Sequence, residues 1–178
     1  ALLLVGLAVR YAVYGWIDFF YIDPAFHFTY LGFDWVRPWP GIGMYLHFLG
    51  LGVLATFIMV GLWYRASAAL FFLGFTYLFL LDEARYLNHY YLVCLISFLL
   101  IFIPANQAFS LDARRRPEIR ADTVPSWSVW LLRLQIGVVY FYGGIAKFNG
   151  DWLNGQPMIN WLSERTDFPL IGPLFAEP

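Results

Sequence analysis

Charge is what this sequence has least of. Only 13% of its 178 residues are Asp, Glu, Lys or Arg, the formal net charge is −1, and Lys147 is the only lysine. No basic field is present to hold nucleic acid, because the charges fall in mixed clusters between apolar runs. Cysteine is equally scarce. Cys94 stands alone inside an apolar run, which excludes an internal disulfide and a cysteine zinc site and leaves a small packed hydrophobe. His27, His47 and His89 lack the spacing of an established metal motif, so no metal site is expected. Nucleophile elbows, phosphate-binding glycine loops and carboxylates paired at useful spacing are missing as well.

What fills the chain is apolar: 61% hydrophobic and 21% aromatic residues, with a mean hydropathy of +0.62. That composition predicts an all-α, polytopic transmembrane helix bundle lodged in the lipid bilayer. About five spans are expected, near residues 2–21, 41–64, 68–81, 90–103 and 126–146. Arg10 and Asp18 interrupt the first of them. Residues 24–40 are too rich in proline for a helix, and their aromatic residues, Phe26 to Trp39, suit the headgroup level. Tyr64-Arg65-Ala66-Ser67 is expected to form a short turn between antiparallel spans, and Asp82-Glu83-Ala84-Arg85 a solvated helix end. Residues 107–125 form a polar loop carrying Arg114-Arg115-Arg116 and Arg120. Ala1 opens within apolar sequence and the chain stops after Phe175-Ala176-Glu177-Pro178, so residues 1–178 are expected to be one domain, incomplete at both ends.

Counting spans puts seven arginines (Arg10, Arg65, Arg114, Arg115, Arg116, Arg120, Arg133) on one face, against Arg37, Arg85, Lys147 and Arg165 on the other. The positive-inside rule makes the first face cytoplasmic. His89, at the start of the fourth span, and Lys147, at the end of the fifth, then share the non-cytoplasmic face and are expected to face one cavity. Lysines at span ends commonly snorkel, so Lys147 has a plain reading as an anchor. The sharper reading draws on Gly143-Gly144, whose missing side chains let a flat ligand approach the backbone, and on the neutral amine that a dry pocket favours. His89, beside Asn88, has the same two readings, interfacial residue or catalyst. Gln135, Tyr140 and Asp151 flank the fifth span as polar groups able to orient a ligand, and Trp152 is an interfacial anchor.

Several segments carry a family resemblance. Leu80-Leu81-Asp82, Leu87-Asn88-His89-Tyr90-Tyr91-Leu92, Ala105-Asn106, Ala113-Arg114-Arg115-Arg116, Arg133-Leu134-Gln135-Ile136, and Val139-Tyr140-Phe141 through Lys147 and Asp151-Trp152 lie in the order seen in the membrane region of vitamin K-dependent gamma-glutamyl carboxylases and their bacterial relatives. Arg37-Pro38 and Tyr64-Arg65-Ala66-Ser67 extend the likeness, and the shared domain is called HTTM. The resemblance implies a lyase of the bacterial inner membrane. Its catalytic residues would be Lys147, as the base that deprotonates vitamin K hydroquinone, and His89, at the glutamate step. Gly143, Gly144, Tyr140, Asn88 and Gln135 would contact the quinone. Oxygen and carbon dioxide are the implied co-substrates, no metal is implied, and a protein or peptide glutamate is the implied partner. Animal members carry two adjacent lysines where this chain has Ala146-Lys147, and the second is kept. A non-catalytic HTTM membrane protein and a quinone-binding redox protein without glutamate carboxylation are the alternatives.

Overall fold

Long apolar runs punctuated by glycine and proline set the helix boundaries. In the computed structural model, which describes residues 2–163 and residue 165, the chain is helical, with no strand among the described residues. Ala1 and the proline-bearing tail that ends at Phe175-Ala176-Glu177-Pro178 lie outside the described residues. The chain divides into two compact units, Ala1–Leu132 and Arg133–Pro178.

The first unit holds α1 (Leu2–Val13), α2 (Gly43–Val60), α3 (Tyr64–Leu80), α4 (Asn88–Phe102) and a short α5 (Leu111–Arg115). Successive helices pack on one another, α1 on α2 across the long connection of residues 14–42, and α2 on α3 and α3 on α4 across short ones. α2, with 18 residues, and α6 (Ser126–Ile145), with 20, are long and apolar enough to cross a membrane. α3 and α4, with 17 and 15 residues, are shorter apolar helices. At ~1.5 Å per residue they fall short of ~30 Å of hydrocarbon.

Two expected boundaries are corrected. Residues 2–21 are not one helix: α1 stops at Val13, Gly15 turns left-handed at φ 67, and a π-helical turn follows at Asp18–Ile22. The turn after α2 lies at residues 61–63, and Tyr64 to Ser67 form the first turn of α3 instead. Gly61 causes this shift. Its φ of 65 ends α2, while Leu62 N donates to Phe57 O at 2.9 Å, a left-handed helix stop that glycine favours.

The core gathers Tyr11, Met44, Phe48, Leu51, Phe71, Phe75, Leu78 and Cys94, so the lone cysteine does pack as a buried hydrophobe. Gly74 lets α3 approach α2 closely, and its carbonyl lies 3.0 Å from His47 Nε2, which satisfies that ring inside an apolar helix. The aromatic connection after the π turn is tied to the end of α3. Glu83 N donates to Phe28 O at 2.6 Å, Phe28 N to Asp82 Oδ1 at 3.3 Å, and Tyr77 Oη to Arg37 O at 2.6 Å. Asp82 is therefore a fastening point and not just a solvated end. In the aromatic connection the Phe26, Leu31 and Trp35 side chains stay exposed, as residues facing headgroups would.

Tyr11 stacks on Phe48, and the Tyr11 and Tyr90 hydroxyls meet at 2.7 Å, linking α1 to α4. Tyr11→Phe and Tyr90→Phe should each cost about 0.5–1.5 kcal/mol. The double variant should cost less than the sum of the two, as measured by thermal unfolding in detergent. Strict additivity would show that the hydroxyl bond contributes nothing.

Candidate functional site

The second unit begins within α6 and continues through α7 (Gly150–Leu153) and α8 (Gln156–Ser163). The end of α6 is a tightening of its last turn. Lys147 N donates to Gly144 O and Phe148 N to Ile145 O, both at 2.9 Å, three-residue spacings that close the helix. Asn149 then starts α7: its Oδ1 accepts from Trp152 N at 3.0 Å, and its Nδ2 donates to Ala146 O at 2.9 Å. Lys147 thus sits at a bend held on both sides by short hydrogen bonds. Its side chain is exposed, and Nζ lies 4.8 Å from the centroid of the Trp152 ring, a cation–π distance.

Helical spacing gathers part of the expected site. At ~100° per residue, Tyr140, Gly143 and Gly144 share one face of α6, and Lys147 extends the row just past its end. Nothing lies within 4 Å of where a Cβ at Gly143 or Gly144 would stand, and Tyr140 is 77% exposed. That strip is open backbone flanked by a phenol and an amine. Gln135 is half-buried and points roughly 120° away from Lys147 by the same count, so it does not join the strip.

Asn88 and His89 belong to the first unit, where they open α4. Both are exposed, and the His89 ring packs edge-on against Tyr90 with centroids 4.8 Å apart. The seven expected residues therefore form two sets, Asn88 and His89 in one unit and the other five in the second.

A lipophilic quinone needs an apolar pocket. The aromatic cavity of the first unit, walled by Tyr11, Tyr21, Phe48, Phe75, Phe79 and Tyr90, has a volume of about 30 Å³. Ligand pockets occupy ~300–1,000 Å³, so this cavity does not fit a quinone ring as it stands. None of the expected site residues lines it. Among the described residues, no group of three or more His, Cys, Asp or Glu is placed to hold a metal ion.

The structure adds a junction that sequence reasoning passed over. The Asp112 carboxylate accepts from Trp63 N and Tyr64 N, both at 2.9 Å, and from Asn106 Nδ2 at 3.0 Å, while Asp112 N donates to Gly61 O at 2.9 Å. Burial pushes the Asp112 carboxyl up. The Tyr64 N–H, the Asn106 amide, the Trp63 N–H and the Arg116 charge outweigh it and hold the group below the usual carboxylate range. Beside this junction opens a cleft of about 510 Å³ lined by Arg65, Arg115 and Arg116. The signal in the sequence was Ser110-Leu111-Asp112, a helix start: Ser110 Oγ accepts from Ala113 N at 3.0 Å.

No solved structure matches the chain. The family comparison does, along its whole length: with the HTTM model matching residues 1–178, the chain belongs to the HTTM domain family, the domain found in vitamin K-dependent gamma-glutamyl carboxylase-related proteins.

Proposed function

We propose that this chain is the membrane domain of a vitamin K-dependent carboxylase-type enzyme of the bacterial inner membrane, with about five spans and a site opening away from the cytoplasm. Lys147 is the base that takes a proton from the hydroxyl of the reduced quinone, and His89 assists at the glutamate. The observation that carries this reading is the HTTM match over residues 1–178, in a chain whose single lysine, Lys147, falls where the resemblance puts the family's base. The open Tyr140, Gly143, Gly144 strip supports it as a place for a flat ring to lie. The meeting of Lys147 with His89 rests on the order of the spans.

An amine alone is far too weak to ionise a glutamate C–H bond, so the protein's share is to position and deprotonate the quinol and exclude water. Full-length protein in nanodiscs, supplied with reduced vitamin K, oxygen, labelled bicarbonate and a glutamate-rich peptide, should yield the quinone epoxide and labelled peptide. Folded protein that yields neither overturns the proposal. One specific observation favours a second reading, a non-catalytic HTTM protein: Lys147 is exposed and rests on Trp152, as an interfacial anchor does. That reading requires no epoxide and no quinol binding sensitive to Lys147 or His89.

A further inference from the structure

Three separate stretches of chain converge on the cleft beside Asp112: the start of α3, the segment after α4, and α5 with the turn that follows it. We propose that this cleft is a binding site for a phosphate group, presented by the headgroup of an anionic lipid. The inference does not depend on the catalytic reading above, since none of the seven expected site residues lines the cleft.

Charge is the first argument. Arg65, Arg115 and Arg116 line the cleft against a single carboxylate, Asp112. That carboxylate, hydrogen-bonded to the Trp63 and Tyr64 N–H groups and the Asn106 amide, offsets one positive charge, so the three arginines leave the cleft net positive. Arginine's planar fork matches phosphate oxygens in a bidentate way that few other side chains can.

Size is the second. At about 510 Å³ the cleft is large enough for a headgroup.

Depth is the third. α2, long and apolar enough to cross a membrane, ends at Val60, and Trp63 follows with 58% exposure and the Arg115 guanidinium 5.9 Å from its ring centroid. An exposed tryptophan just past the end of an apolar helix marks the headgroup level, where lipid phosphates are concentrated.

The test uses full-length protein in a neutral detergent, with phosphatidylglycerol, phosphatidylcholine and inorganic phosphate as separate probes. Native mass spectrometry should show phosphatidylglycerol retained over phosphatidylcholine. Retention should fall about tenfold or more in Arg65→Gln/Arg115→Gln, at roughly a kilocalorie for each arginine, and stay unchanged in Arg120→Gln, which lies outside the cleft. Phosphatidylglycerol should also raise the thermal midpoint of the lipid-free protein. If inorganic phosphate raises that midpoint as much as phosphatidylglycerol does, phosphate binding stands but its source is a free anion, and the lipid part of the proposal falls. Equal retention of the two lipids with no response to phosphate, or retention indifferent to the arginine pair, overturns the site.

Discussion

Replacing Lys147 with alanine is expected, on the proposed carboxylase reading, to lower quinone epoxide formation by about 10²–10⁴-fold, the range over which a positioned proton acceptor acts. No other lysine exists in the sequence to take over the role. Alanine alone does not separate base from anchor, because both lose the ammonium and its contact with Trp152. Arginine does separate them. Lys147→Arg keeps the charge, the reach to the headgroups and the stacking on tryptophan, but a guanidinium does not give up its proton in proteins. A base at this position therefore predicts that arginine is as inactive as alanine, with both variants folded and inserted at normal levels. An anchor predicts that arginine restores whatever alanine removed. Trp152→Leu should change activity little under the catalytic reading, since the contact is an exposed cation–π pair worth about 0.5–1 kcal/mol.

How much of this was legible beforehand differs from residue to residue. The apolar runs announced α2, α3, α4 and α6, because nothing but a helix satisfies the backbone of so long an apolar stretch in lipid. The fourth span, expected to open at His89 or Tyr90, opens at Asn88, and the burial of Cys94 followed from the same pattern. The break at Gly15 was visible as a letter but not as a conformation, since a glycine inside an apolar run reads equally well as a helix residue. The Tyr140, Gly143, Gly144, Lys147 row follows from helical spacing, and so does the exclusion of Gln135, once the helix is known to be continuous from Ser126 to Ile145. The bend at Lys147 needed Asn149 to act as a cap, a choice that local sequence permits but does not force. Least legible was the arginine cleft. Its walls come from three separate segments, so a reading along the chain sees only a charged loop that sets topology.

The junction that closes α2 and opens α3 should prove the most sensitive point of the first unit. Gly61→Ala is expected to destabilise it by about 2–5 kcal/mol. A left-handed backbone costs a non-glycine residue roughly 1–2 kcal/mol, and overpacking adds about 1–3. The overpacking is certain to be felt, because a Cβ at Gly61 would collide with Ser110 Cβ and stand 3.2 Å from its Cα. Asp112→Ala strikes the same knot from the other side. It strands the Trp63 and Tyr64 N–H groups, and because Asp112 is only half-buried, water replaces part of the loss, leaving about 1–3 kcal/mol. Since the folded-state carboxyl is held below its ordinary range, its stabilisation is complete above the unfolded pKa of roughly 4. It fades only as pH falls through the lower, folded value. The gap between wild type and Asp112→Ala in thermal midpoint should therefore be flat from neutral pH down to about 5 and close below about 4. Trp63, itself left-handed at φ 43, depends on both partners: Gly61 sets the turn, and the Asp112 carboxylate holds the tryptophan N–H. The double variant should then cost less than the sum of its parts, because whichever change comes first releases the turn that the other would have broken. Full additivity would mean that Gly61 and Asp112 act on independent structures, and that the cap on α3 is not what fixes the turn at residues 61–63.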